Sequence, residues 1–114
     1  MKRLALCGLC VMTMLAGCGT STDELRSQGT SEFQVGHLAK AKTLFHLVLD
    51  RRPGDAESYY YLGRIVHAQG DPMMAMYYYQ SSIDADPAHQ EARRWLARAE
   101  QESGAAGKGL RFIK

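Results

Sequence analysis

Residues 56–89 read AESYYYLGRIVHAQGDPMMAMYYYQSSIDADPAH. Two apolar, helix-compatible runs flank Gly70-Asp71-Pro72, in which an acid suited to cap a helix precedes a proline suited to its first position. The stretch closes on Asp86-Pro87, which turns the chain away. Thirty-four residues upstream the same marks recur. Gly29 pairs with Gly63, Gly36 with Gly70, Ala41 with Ala75, Phe45 with Tyr79, and Pro53 with Pro87. A period of that length marks a helix–turn–helix solenoid, in which each unit needs a neighbour to bury its apolar face.

The pattern predicts five helices, at 22–35, 38–51, 55–69, 72–85 and 88–102. Ser21 to Glu24 has the S-x-x-E spacing of a capping box, so the first helix should begin at about Thr22. Gly36 and Gly70 are placed to end helices. Gly29 and Gly63 fall inside them, where glycine costs about 0.8–1 kcal/mol against alanine. Their recurrence predicts a close crossing with the next helix. Residues 90–102, QEARRWLARAEQE, give one more helix, with Ala92, Trp95, Leu96 and Ala99 as its buried stripe.

These residues resemble the tetratricopeptide repeat family. Tyr59, Leu62-Gly63, Gly70-Asp71, Ala75, Tyr79, Ile83 and Asp86-Pro87 make 56–89 look like a full repeat. Residues 22–55 resemble a divergent copy that keeps Gly29, Gly36, Ala41, Phe45, Leu49 and Pro53. It departs at Gln28, where the family prefers leucine, and at Glu32, where it prefers an aromatic. The expected fold is all-α: a short solenoid of two repeats, 22–55 and 56–89, with a capping helix at 90–102. For function, the resemblance implies protein or peptide binding.

The resemblance also implies a concave face lined by the first helix of each repeat. In this register Arg26, Thr30, Phe33 and Gln34 face it, then Tyr60, Arg64, His67 and Ala68, then Arg94 and Arg98. The peptide-binding candidates are Arg26, Phe33, Tyr60, Arg64, His67, Arg94 and Arg98. Four arginines suit an acidic peptide or a free C-terminus, because guanidinium forks bind carboxylates bidentately. Tyr60 is expected to anchor a ligand in this groove, while Tyr59 and Tyr79 are expected in the core. Met73 and Met74 should face outward as an adaptable contact patch or pack against the nearby tyrosines.

Outside the repeats, residues 1–17 read as a signal peptide. Lys2 and Arg3 precede an apolar run too short to span a bilayer. The run ends in Leu15-Ala16-Gly17-Cys18, which resembles the lipobox of bacterial lipoproteins, so Cys18 is the expected lipidation site. Cys7 and Cys10 lie in the discarded segment, leaving a mature chain without disulfides. Residues 18–21 form a tether that reaches little more than ~10 Å, so the domain should lie against the membrane. Gly19 after the cysteine fits the sorting rule for the outer membrane of Gram-negative cells. Residues 103–114 read as a flexible basic tail.

Loss of Lys2 and Arg3 reduces the 14 basic residues to 12, equal to the 12 acidic ones. That balance predicts no nucleic-acid partner. No cofactor beyond the covalent lipid on Cys18 is expected. Residues 104–109 lack the spacer and the hydroxyl residue of a phosphate loop. His37, His46, His67 and His89 lack metal-ligand spacing, and no catalytic triad is legible. The sequence therefore points to a lipid-anchored adaptor rather than an enzyme. Small lipoproteins of this look resemble pilus-, secretion- and outer-membrane-assembly factors. The alternative is a self-assembling subunit, a homo-oligomer stacked through its solenoid ends.

Overall fold

The structure is a computed structural model that describes residues 19–106. Five helices follow in order: α1 Thr22–Gln34, α2 Leu38–Arg51, α3 Ala56–Ala68, α4 Pro72–Ala85 and α5 Gln90–Ala106. None of the described helices is long and apolar enough to cross a membrane. Residues 1–17, expected as a signal peptide, Cys18 as the expected lipidation site, and residues 107–114 of the expected tail lie outside the described residues.

Each boundary has a local cause. Ser21 caps α1 by accepting from the Glu24 N–H at 3.1 Å. Asp55 caps α3 through the Ser58 N–H at 2.9 Å, and Asp71 caps α4 through the Met74 N–H at 3.0 Å. His37 makes no such bond at the start of α2. At the far ends of α1 and α3, Gly36 and Gly70 take φ of +90° and +91°. That left-handed conformation suits glycine and closes the helix.

The mid-helix glycines are sites of close approach. A Cβ on Gly29 would meet the Phe45 ring at 3.0 Å, and one on Gly63 would meet Tyr79 at 2.6 Å. In each repeat an aromatic ring on the second helix presses on bare backbone of the first. Phe45 and Tyr79 are both fully buried. Tyr59, expected in the core, is only half-buried.

Two apolar clusters share a border. One gathers Ala41, Phe45, Leu62 and Ile65, and the other gathers Tyr60, Val66, Ala75, Tyr79, Ala92 and Ala99. Tyr61 and Tyr78 pack against both. Helix α3 supplies both clusters and is therefore the centre of the molecule. In α1 only Leu25 and Gly29 are buried. That thin packing follows from Gln28 and Glu32, whose counterparts Leu62 and Val66 are core residues. Asp23, Glu24, Ser27, Gln28, Ser31 and Gln34 are exposed on α1.

The capping helix corrects the predicted boundary. It begins at Gln90 and continues to Ala106 rather than ending at residue 102. Residues 103–106 are thus a further helical turn and not a linker. The Ser103 hydroxyl donates to the Met73 sulfur at 3.0 Å, which ties this turn to α4. Ala92 and Ala99 are fully buried as expected, while Trp95 and Leu96 are partly buried. Met73 and Met74 are exposed.

Candidate binding groove

Arg64 projects from the middle of α3, a few residues after the buried Tyr60. Its guanidinium lies 3.9 Å from the centroid of the Trp95 ring and 5.3 Å from that of Phe33. One of its N–H groups donates to the Tyr60 hydroxyl at 2.8 Å. Among the described residues, no carboxylate pairs with Arg64. The surrounding cleft, about 190 Å³, joins Phe33 of α1, Arg64, His67 and Ala68 of α3, and Trp95, Arg98 and Glu102 of α5. A cation held against aromatic faces is attracted by their quadrupoles and keeps its remaining donors available.

The structure brings four of the predicted residues, Phe33, Arg64, His67 and Arg98, into this one cleft. Arg26 does not join them, because it spans Asp23 and the buried Asp55. Asp55 also holds Ser58 and lies 3.7 Å from Arg52, so Arg26 belongs to a structural network. Arg94 pairs with Glu91 and lines an adjoining depression with Trp95 and Arg98. Arg98 pairs with Glu102 at 3.5 Å and lies 5.1 Å from the Trp95 ring. The predicted arginine ladder is therefore mostly neutralised by neighbouring acids, and Arg64 is its exception.

Tyr60 is a correction. It is 6% exposed, with its ring 5.1 Å from His89 and 6.3 Å from Tyr79. Near 100° of helix rotation separates adjacent residues, so Tyr61 points elsewhere and does not line the Arg64 cleft either. Tyr61 stacks on Phe45 at 5.0 Å and meets Phe33 edge-on at 5.4 Å. It lines a second shallow depression with Arg26, Thr30 and Glu57.

The histidines also have carboxylate partners that sequence reasoning missed. His67 sits between the Tyr79 hydroxyl at 3.1 Å and Glu102 at 2.5 Å. His89 lies 3.4 Å from Glu57. The His67 hydrogen bond, aided by Arg98, holds the Glu102 carboxyl below its ordinary value. Burial pushes the Tyr79 phenol well above the usual range. No group of three or more metal-type ligands occurs among the described residues.

Trp95, expected in the buried stripe of α5, packs against the core cluster and also lines the cleft. A signal was present: Trp95, Arg98 and Glu102 follow at three- and four-residue steps, which places them on one helix face. Pairing with His67 across 35 residues had no local signal.

No curated protein matches the chain in sequence. A family model for the tetratricopeptide repeat matches residues 26–89. That span holds most of both repeats, including the two glycine–aromatic crossings and Arg64. On this match and on the stacked helix pairs, the chain belongs to the tetratricopeptide repeat family.

Proposed function

We propose that this protein is a lipid-anchored adaptor of a bacterial envelope, which captures a partner through a carboxylate-bearing segment. Repeats of this family serve protein–protein interaction and are generally not catalytic. The observation that carries the ligand class is Arg64, a guanidinium without an anionic partner among the described residues, poised over Trp95 in an aromatic-walled cleft. A peptide C-terminus or acidic side chain would supply the missing charge, and an adjacent apolar side chain would rest on Phe33 or Trp95. Hydrogen bonds to a charged partner contribute about 1.5–3 kcal/mol, enough to make one residue dominate a small site.

The anchoring half of the proposal rests on Leu15-Ala16-Gly17-Cys18 and the short run from Gly19 to Ser21. Such a tether keeps the groove close to the membrane, which suits the assembly of envelope structures such as pili, secretion channels or outer-membrane proteins. Gly19 favours the outer membrane, with the domain facing the periplasm.

An array of acidic peptides with free or amidated C-termini tests the ligand class. The intact protein should retain acidic peptides, lose them as salt rises, and lose them on Arg64→Ala. Equal retention by the variant would refute the assignment of Arg64. For the anchor, Cys18→Ser should move the protein out of the membrane fraction; unchanged membrane association would refute lipidation at this site.

A further inference from the structure

The groove between α4 and α5 has a counterpart inside the molecule that is already filled. It has a volume of about 300 Å³ and is lined by Gln80 and Ile83 of α4 and by Arg93, Leu96, Ala97 and Glu100 of α5. Shifted back by 34 residues, the same positions are His46, Leu49, Tyr59, Leu62, Gly63 and Val66. There the surface is closed by α4, whose Tyr79 ring presses on Gly63. Leu62 is consequently fully buried, whereas Leu96, its counterpart, is only partly so. The α4–α5 groove is thus a repeat interface that lacks its covering element.

The period continues into the segment that follows. Gly104 falls in register with Gly36 and Gly70, and Ile113 with Phe45 and Tyr79. Phe112 matches Leu44 and Tyr78, while Leu110 matches Lys42 in the first repeat and the partly buried Met76 in the second. The crossing position changes in step. Gly29 and Gly63 face aromatic rings that leave no room for a Cβ. The third residue of the series is Ala97, and its partner in register is the shorter, aliphatic Ile113.

We propose that residues 107–114 of this chain seat in the α4–α5 groove as the second helix of a third repeat, with Ile113 over Ala97. The segment's three apolar residues cover Leu96 and Ile83, and its Lys108, Arg111 and Lys114 meet a groove that contains Glu100 and also Arg93, whose guanidinium is held by the Pro87 carbonyl. Docking requires a turn at Gly104. In the structure α5 runs through Gly104 to Ala106, one turn beyond the places where α1 and α3 stop. That last turn opens when the segment docks, and it releases Ser103 from Met73.

Hydrogen exchange by mass spectrometry on the intact protein tests this. The amides of residues 110–113 should exchange at least tenfold more slowly than in the free peptide LRFIK. Ile113→Asp should return them to the peptide rate, and Gly104→Ala, which disfavours the left-handed turn, should reduce the protection. Peptide-like exchange in the unaltered protein would overturn the proposal, as would protection that survives Ile113→Asp. Protection that grows with protein concentration would assign the groove to a second copy's segment, which also overturns it.

Discussion

Gly29 beneath Phe45 and Gly63 beneath Tyr79 are one contact built twice, yet the two repeats hold it differently. In the first, the ring is a phenyl and a Cβ would lie 3.0 Å from it; in the second the gap is 2.6 Å. The first repeat leaves α2 without a side-chain cap, whereas Asp71 and Pro72 start α4. The second also adds a hydrogen bond from the fully buried Ser82 hydroxyl to the Ala56 carbonyl at 2.9 Å. Val48 occupies the matching place in the first and bonds to nothing there through its side chain. One period can therefore carry a tight unit and a loose one. Position explains part of the contrast, because α3 is covered on both sides and α1 on one. Residue identity explains the rest.

The largest expected difference is at the crossings. Gly63→Ala forces a methyl group into the Tyr79 ring and should destabilise by about 3 kcal/mol, at the upper end of overpacking costs. Gly29→Ala needs Phe45 to yield by a few tenths of an ångström, and a gain of about 0.8–1 kcal/mol in helix propensity offsets this. Its net effect should stay within about 1 kcal/mol. Urea unfolding of both variants checks the order, and equal losses would remove the distinction between tight and loose repeats.

Next come the caps of the first helices. Asp55→Ala deletes a buried cap, leaves Ser58 without its acceptor and leaves Arg26 with Asp23 alone, so a loss of about 2–3 kcal/mol is expected. Ser21→Ala removes one exposed cap bond and should cost less than about 1 kcal/mol. In the second helices, Asp71→Ala should cost about 1 kcal/mol, while His37→Ala removes no cap bond. Thermal melts of these four variants should rank them Asp55, Asp71, Ser21, His37.

The smallest effect is a pH response at the α5 end. Glu102 is held below its ordinary value of 4.5, chiefly by the hydrogen bond from His67. A depressed carboxyl pKa stabilises the folded form above the unfolded value, and that stabilisation is lost as pH falls through the lower folded value. Trp95, the only tryptophan, lines the same cleft as Glu102. Its emission should change as pH falls below about 4.5, and Glu102→Gln should abolish the change. A transition that persists in that variant would place its cause elsewhere.

Much of this architecture was legible because it is periodic. The recurrence of Gly36 and Gly70 located both left-handed turns, and the inner glycines located both crossings. The groove was legible only in part. Phe33, Arg64, His67 and Arg98 converge as their helical register predicts. Tyr60 and Tyr61 are neighbours in an unbroken tyrosine run, and no sequence rule decides which of two adjacent rings is tucked under His89. The pairing of Arg26 with Asp55, and of His67 with Glu102, depends on how helices distant in sequence are stacked. The final turn of α5 was missed because Ser-Gly-Ala-Ala reads as linker composition, although only Gly104 in it disfavours a helix.

The account turns on Arg64 as the one cleft arginine left for a ligand. The most direct measurement is a titration of the intact protein with an acidic peptide bearing a free C-terminus, followed by Trp95 emission. The account predicts that Arg64→Ala weakens binding about tenfold or more, since each 1.4 kcal/mol is a factor of ten. Arg93→Ala, whose guanidinium bonds to the Pro87 carbonyl, should leave binding unchanged. Equal affinities for the original protein and the Arg64 variant would contradict it.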